Sequence, residues 1–407
     1  MNHGLMDPED AWRAILASVT PLPSTPRAVA QCLSYYLAQP ILADRDIPAA
    51  DRSAMDGYAV RADDVAAASA TLRVVGEIPA GSAARPALAP GECVRIFTGA
   101  NIPPDADTVV MVEDTEAGAE DKVTVLSAAA RGRNILRRGE NARQGEVLLP
   151  AGARLDAAAL AVCAAVGCLE PQVRAHPRIA VITTGAELRQ PGEKVGSHEI
   201  RDSNGPMLVA AIAEQGFEAA AWTCVPDDRA TLLAALRRAL DGSDVVLVTG
   251  GVSVGKYDLV PDVIREAGGT IRYHGVAMKP GKPQLFATAG SGQCLFGLPG
   301  NPLSVLTGFH EFALPALRYL AGCPEADCRR LLRLPLASGV TLKGRQRNYL
   351  LGRLTHAAGG TAVAPIVNAG SADLVAGSKA DGMIVVPAGV TSVPAGACVE
   401  FRPWRAP

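Results

Sequence analysis

The sequence predicts a multidomain α/β protein with a doubly wound α/β domain, a β-rich insertion, a discontinuous helical part and a small C-terminal β-barrel or sandwich. Three observations predict it. Strand-like and helix-like segments alternate from Pro177 to about Gly322. Short β-type runs broken by Pro and Gly fill about Pro48 to Gly145, and β-type runs return beyond Cys323. With 407 residues, and ~150 residues per domain, the chain has room for several cores.

The alternating region begins with Arg178 to Ile182, apolar enough to be covered on both faces, which predicts a buried parallel strand. Ser203 or Asn204 suits the cap of the next helix, with Pro206 in its first turn, Leu208, Ala211 and Ile212 on one face, and Gly216 as its stop. A strand near Ala219 to Val225 leads through Pro226-Asp-Asp228 to a helix striped with Leu232, Leu233, Leu236 and Leu240. Val245 to Val248 is the next strand. Val260, Val263 and Ile264 then mark a helix ended by Gly268 and Gly269. Repeated βα units place a ligand site at the carboxyl ends of the strands.

In the insertion, Leu72 to Val75 and Thr108 to Val112 read as strands, as do Asn348 to Leu351 and Met383 to Val386 near the C-terminus. Residues 1–45 and 146–175 read as more helical and as one discontinuous unit. The apolar stretch Ala157 to Leu169 reads as a buried helix, short of the ~20 residues needed to cross a bilayer.

Lys+Arg 39 against Asp+Glu 41 gives a net charge of -2, which argues against nucleic acid and an anionic membrane surface as partners. Asp7, Glu9 and Asp10 stand where an export signal needs positive charge, so a soluble, cytoplasmic protein is expected. The nine cysteines form no CxxC pair and read as buried, reduced thiols. The six histidines offer no metal spacing, and His310, on an apolar helix, reads as structural.

The segment Thr249 to Asp258 lies between a strand and a helix, and small residues at Gly250, Gly251, Ser253 and Gly255 let backbone N–H groups approach an anion. Gly250 to Lys256 fits GxxxxGK, but Tyr257 cannot replace the small hydroxyl that holds Mg²⁺ in a P-loop, so a P-loop NTPase is rejected. A tight turn without a ligand explains the segment equally well. Three further turns end or follow strands: Thr183 to Glu187, Met278 to Pro283 and Gly297 to Pro302. They are expected to converge at one rim, where Pro299, Gly300, Asn301 and Pro302 would face a phosphate, Lys279 and Lys282 would add positive charge, and Glu187 and Asp258 would hold Mg²⁺. Taken singly, the lysines are ordinary solvated side chains and the prolines only shape turns. Asp56 and Thr98 each precede a glycine, in Asp-Gly and Thr-Gly pairs that also suit plain turns with φ > 0.

Together, SAMDGYAVRADD (53–64), RIFTGANIPPDAD (95–107), TTGAEL (183–188), IRDSN (200–204), GGVSVGKYD (250–258), MKPGKP (278–283) and GLPGNP (297–302) resemble the MoeA and gephyrin E-domain family, in order and over essentially the whole chain. The resemblance implies an elongated four-part subunit. Its parts would be a linker and dimerisation domain (1–45 and 146–175), a β-rich insertion (46–145), a MogA-like molybdopterin-binding α/β domain (176–325) and a C-terminal β-barrel (326–407). It also implies a homodimer in which Asp56 and Thr98 of one copy complete a cleft holding Glu187, Asp258, Lys279 and the 299–302 loop of the other.

The implied reaction takes adenylylated molybdopterin and molybdate, hydrolyses the pyrophosphate link with Mg²⁺, releases AMP and leaves molybdenum on the dithiolene. Asp56, Thr98, Glu187, Asp258 and Lys279 would be catalytic. A MogA-like adenylyltransferase upstream and molybdoenzymes downstream would be its partners. Two departures from the family pattern stand out: Asn141 where Asp is usual and Lys256 where an acid is common, which puts a metal contact at position 141 in doubt. The alternatives are the preceding adenylylation step and a pterin-binding scaffold without turnover.

Overall fold

The computed structural model describes residues 4–119, 121–252, 258–290, 292–357 and 360–404. They fall into two compact units: Met1–Gln39, Ala151–Leu160 and Glu170–Pro407 form one, and Pro40–Pro150 with Ala161–Leu169 the other. The chain opens with helix α1 (Pro8–Leu16), whose first turn is capped by the Asp7 carboxylate accepting from the Glu9 N–H at 2.8 Å.

The flanking segments hold less helix than their apolar content suggests. After α1, only a 3₁₀ turn at Val29–Gln31 is helical before Gln39, because Pro21, Pro23 and Pro26 interrupt the run. Helix α2 (Ala157–Ala165) is not wholly buried either. Ala159 and Cys163 point inward, while Ala157, Ala161 and Ala164 are exposed.

The second unit is built on a six-stranded sheet. In chain order its strands are β1 (Gly57–Val60), β2 (Ala70–Ile78), β3 (Glu92–Ile96), β4 (Thr108–Met111), β5 (Thr115–Ala117) and β6 (Lys122–Val125), and in space they run β4-β1-β3-β2-β6-β5. Strict alternation sends Ala59 and Val109 to one face with Ile78, Val94 and Ile96, and Val60 and Val110 to the other with Val65, Leu72 and Val123. Both faces are therefore dry.

In the first unit the α/β sheet contains β7 (Ile179–Thr184), β8 (Ala219–Val225), β9 (Val245–Thr249), β10 (Thr270–His274), β12 (Leu285–Ala289) and β13 (Gln293–Leu298), in the order β8-β7-β9-β13-β12-β10. Between them run α3 (Asn204–Glu214), α4 (Arg229–Gly242) and α5 (Val260–Glu266), and α6 (Pro302–Gly308) follows β13. Strands β8, β7, β9 and β13 are parallel; β7, β9 and β13 are buried along their apolar runs, whereas the edge strand β8 is exposed from Ala220 to Thr223, and β12 is antiparallel to both β13 and β10. The link between Ala289 and Gln293 is too short for a crossover, so the chain turns back on itself.

Leu232, Leu236 and Leu240 of α4 are buried as their spacing predicts, and Asp228 caps that helix through the Thr231 N–H. The cap of α3 differs from expectation. Ser203 and Asn204 make no cap bond; the Asp202 carboxylate instead accepts from the Gly205 N–H at 3.0 Å.

Strand β11 (Met278–Lys279) leaves the α/β sheet and pairs in parallel with β15 (Arg347–Ala357) of the C-terminal sheet. That sheet also holds β14 (Leu332–Pro335), β16 (Gly360–Pro365), β17 (Gly382–Val386) and β18 (Cys398–Pro403). Its ladder runs β16-β15-β17-β18-β14 and closes where Leu336 bridges Val363, with the Ala337 N–H donating to the Val363 carbonyl at 2.8 Å. Closure removes the open edges. Leu336, Val363, Ile384, Val386 and Phe401 fill the interior.

His310 is a core residue, stacked on Trp404 at 5.7 Å, and burial holds its pKa down to about 3. The thiols are not all buried: Cys398 is exposed, and Cys168 and Cys224 are half-buried. Among the described residues, no helix is long and apolar enough to cross a membrane.

Candidate functional site

The parallel strands β7, β9 and β13 end together, and side chains at the start of α3 and in the turn before it stitch their loops. Asn204 Nδ2 donates to Thr249 Oγ1 at 3.0 Å and to the Gly300 carbonyl at 2.8 Å, while Thr249 Oγ1 donates to the Pro299 carbonyl at 3.2 Å. Thr183 Oγ1 donates to the buried Asp202 carboxylate at 2.5 Å, and Trp222 Nε1 reaches the same oxygen at 3.3 Å.

Gly250 has φ of +96°, and a Cβ there would lie 2.0 Å from the Thr184 carbonyl oxygen, so only glycine fits between these strand ends. Its N–H donates to the Leu298 carbonyl at 3.2 Å, so this glycine serves close packing rather than offering that N–H to an anion. Gly251 adjoins Asp227, whose Oδ1 would lie 3.6 Å from a Cβ at that glycine. Ser253, Gly255 and Lys256 lie outside the described residues.

Acidic groups gather at this rim. Asp227 follows β8, and its pKa is raised by burial first and then by the negative charge of Glu187 and Asp258. Its Oδ1 is buried without a hydrogen-bond partner. Sequence reasoning found Glu187 and Asp258 but treated Asp227 as part of a helix lead-in. The signal was the doubled acid: Asp228 alone caps α4, which leaves Asp227 for another purpose. The Glu187 carboxylate folds back on its own turn, with Oε2 2.8 Å from where a Gly185 Cβ would stand.

An orphaned carboxylate oxygen in the field of two further acids suits a divalent cation. Among the described residues, no group of three or more His, Cys, Asp or Glu side chains is placed to hold a metal ion, so a cation here would draw on no more than two of these carboxylates. Such an open set fits an ion that takes one or two carboxylates and completes its shell with substrate phosphate.

A cavity of about 580 Å³ opens beside these loops, lined by Lys279, Lys282, Pro299, Asn301 and Asn348 among others. Asn301 Nδ2 donates to Ser371 Oγ at 2.8 Å, and the Leu303 N–H donates to the Ser371 carbonyl at 3.0 Å. A second cavity, of about 510 Å³, shares Lys279, Lys343 and Asn348 and adds Arg345 and Gln346. Lys343, Arg345 and Ser371 escaped sequence reasoning, because they belong to the C-terminal region and come to these cavities through tertiary contacts, the β11–β15 pairing and the bonds from Asn301 and Leu303 to Ser371.

In the other unit, Asp56 Oδ1 accepts from both the Thr98 N–H and Thr98 Oγ1, each at 2.7 Å. The Thr98 N–H first and its hydroxyl next hold the Asp56 pKa below the usual carboxylate range. Gly99 has the predicted positive φ, at +83°. Gly57 does not: it is required because a Cβ would stand 1.9 Å from the Val110 carbonyl oxygen.

Fold and site together define an α/β protein with a lysine-lined cavity beside the loop that follows β13, and a cluster of acids at the ends of the neighbouring parallel strands. Three family models match: the MoeA N-terminal region (domain I and II) at residues 6–167, a probable molybdopterin binding domain at 180–319, and the MoeA C-terminal region (domain IV) at 333–404. A molybdopterin molybdenumtransferase from Staphylococcus aureus is 33% identical over 97% of this chain and 94% of its own length. One from a Nostoc species is 34% identical over 88% and 84%. A molybdopterin biosynthesis MoeA protein from Pyrococcus horikoshii superposes with a TM-score of 0.77 at 30% identity, covering 99% of this chain and 100% of that one. The chain belongs to the MoeA family of molybdopterin molybdenumtransferases.

Proposed function

We propose that this protein is an enzyme of molybdenum cofactor biosynthesis that transfers molybdenum from molybdate to adenylylated molybdopterin, hydrolysing the pyrophosphate link and releasing AMP. The observation that carries this reading is the shared loop at 299–302. Its Pro299 and Gly300 carbonyls are bonded to Thr249 and Asn204 on the acidic side, while Pro299 and Asn301 line the lysine-walled cavity. A diphosphate there meets cations on one side and carboxylates on the other.

In this scheme Lys279 and Lys282 offset the phosphate charge, with Asn301 and Pro302 shaping the phosphate side of the loop. Glu187 and Asp258 would hold Mg²⁺, with substrate phosphate and water completing its shell. The metal's chemistry there is to neutralise charge on the pyrophosphate oxygens as the link breaks. Water adds to one phosphorus, the bridging P–O bond breaks, and AMP separates from molybdopterin phosphate. Asp56 orients that water or the molybdate, and Thr98 fixes the Asp56 carboxylate.

Asp56 and Thr98 are supplied by a second copy of the chain in this proposal, within the four-part division 1–45 with 146–175, 46–145, 176–325 and 326–407. One exposed apolar pair in the second unit, Leu42 opposite Val147, supports self-association. A cytoplasmic enzyme receiving substrate from a MogA-like adenylyltransferase and delivering product to molybdoenzymes completes the scheme.

The test incubates the pure protein with adenylylated molybdopterin, Mg²⁺ and molybdate while AMP and active cofactor are followed. Parent-rate AMP release by both Asp258→Ala and Asp56→Ala would overturn the reading. Consumption of ATP with release of pyrophosphate would identify the adenylylation step instead. Stoichiometric pterin binding without AMP release would identify a scaffold.

A further inference from the structure

The strand that carries Lys279 is gripped from both sides by segments that lie outside the α/β sheet. On one side the Met6 N–H donates to the Gly275 carbonyl at 3.0 Å, and the Ala277 N–H donates to the Met6 carbonyl at 2.8 Å, so residues next to the N-terminus add a bridge beside Val276. Gly275, with φ of +98°, leaves room for Leu5, whose Cδ2 would stand 2.8 Å from a Cβ there. On the other side the Arg347 N–H donates to the Ala277 carbonyl at 3.2 Å, and β15 continues alongside with Met278 opposite Arg347 and Lys279 opposite Asn348.

A side-chain network ties the two flanks to each other. Glu9, in the first turn of α1, accepts from Arg347 Nη1 at 2.5 Å and from Arg329 Nη1 at 2.5 Å. Arg329 also bonds the fully buried Glu311, and Arg402 Nε lies 2.7 Å from the second Glu311 oxygen. Burial disfavours the charge on Glu9, yet Arg329 and Arg347 together hold its pKa down to about 2. Partly buried ion networks of this kind add little stability over apolar replacements, because desolvation offsets the attraction; their best-attested use is to specify one geometry among several. The geometry specified here is the register of β11 against β15, and that pairing places the Lys279 ammonium and the Asn348 amide in the same cavity wall.

We infer that Glu9 is a positioning residue, acting through Arg347 to hold Lys279 and Asn348 where an anionic phosphate substrate meets them. The inference rests on the reading of that cavity as the diphosphate site. It assigns the N-terminal segment from Leu5 to Glu9 a part in substrate binding although none of its side chains lines the cavity.

The test compares Glu9→Gln, Arg347→Met, the double variant and Arg347→Lys in the full-length protein. Three quantities are read: KM and kcat for AMP release, affinity for inorganic pyrophosphate by calorimetry, and the rate at which acetic anhydride labels Lys279 relative to Lys122, an exposed lysine of the other unit. Each single change is expected to raise KM and weaken pyrophosphate binding about tenfold with kcat held within about twofold, and the double variant should be no worse than either single one, because the two residues act as one pair. Arg347→Lys should recover much of the loss, and Lys279 labelling should shift in both single variants. Unaltered KM and labelling, with only Tm lowered, would overturn the inference, as would single effects that add in the double variant. If the parent protein bound no pyrophosphate, the reading of the cavity would fail, while the labelling rates would still decide whether Glu9 positions Lys279.

Discussion

Asn204 and Gly300 are joined by a 2.8 Å hydrogen bond from the Asn204 amide to the glycine carbonyl, and the same amide nitrogen reaches Thr249 Oγ1 at 3.0 Å. One side chain, itself buried, thereby fixes the ends of β9 and β13 relative to α3. This bond, with those from Thr249 to the Pro299 carbonyl and from Asn301 to Ser371, holds the loop at 299–302.

Replacing Asn204 by Ala leaves the Gly300 carbonyl and the Thr249 hydroxyl short of a partner. Each lost hydrogen bond costs ~1 kcal/mol, and groups left unsatisfied cost more, so a destabilisation of about 2 kcal/mol is expected. Urea melts of Asn204→Ala should show it, and AMP release should fall by more than tenfold. Unchanged turnover in a destabilised protein would confine Asn204 to a structural role.

Asp227 behaves oppositely in its effect on stability. Its folded pKa lies above the unfolded value, so the neutral form suits the fold and the ionised form, present as pH rises through the folded pKa, disfavours it. Asp227→Asn should therefore melt at the same temperature or higher at neutral pH, while activity drops and the Mg²⁺ concentration needed for half-maximal rate rises. Calorimetry and a Mg²⁺ titration check this, and a lower Tm at neutral pH would contradict it.

Thr98 holds the Asp56 carboxylate ionised, since its N–H and hydroxyl both donate to Oδ1. For a depressed carboxylate, the favourable interaction is present above the unfolded pKa and is lost as pH falls through the folded one. Thr98→Val removes the hydroxyl bond and should move the acid limb of the pH–rate profile upward, whereas Asp56→Asn should abolish most activity with Tm little changed. A profile that does not move in Thr98→Val would separate the two residues functionally.

Acid sensitivity should trace partly to His310. Burial holds it neutral in the fold, with a pKa of about 3, whereas an unfolded histidine takes up a proton below pH ~6.5. Stability from this group is complete above that pH and declines as pH falls from there toward about 3. His310→Phe, stacked on Trp404 in the same way, should flatten the loss of Tm between pH 6.5 and 4. An unchanged slope would count against it.

Much of the architecture was legible in local pattern. The apolar run at Ile179–Thr184, the leucine stripe of α4 and the buried run at Val245–Thr249 all follow from periodicity, because burial on one or both faces imposes it directly on neighbouring residues. The family resemblance was likewise written in short motifs whose order the chain preserves. Other features were not legible. Nothing local distinguishes Asp202 from Ser203 as the cap of α3, since the choice depends on Thr183 and Trp222 from other strands competing for the same carboxylate.

Residue order by itself determined the strands and helices of the α/β domain and which glycines and prolines mark the turns at their ends, since those properties depend on neighbours along the chain, whereas the flanking segments read as helical hold less helix than expected. Tertiary structure alone decided that β12 reverses direction, that β11 deserts its own sheet for the barrel, that Asp227 stands in the field of Glu187 and Asp258, and that Glu9 reaches Arg347. Those relationships join residues tens to hundreds of positions apart, and their energies arise from burial and charge shared across the fold, quantities that have no value until the chain has closed on itself.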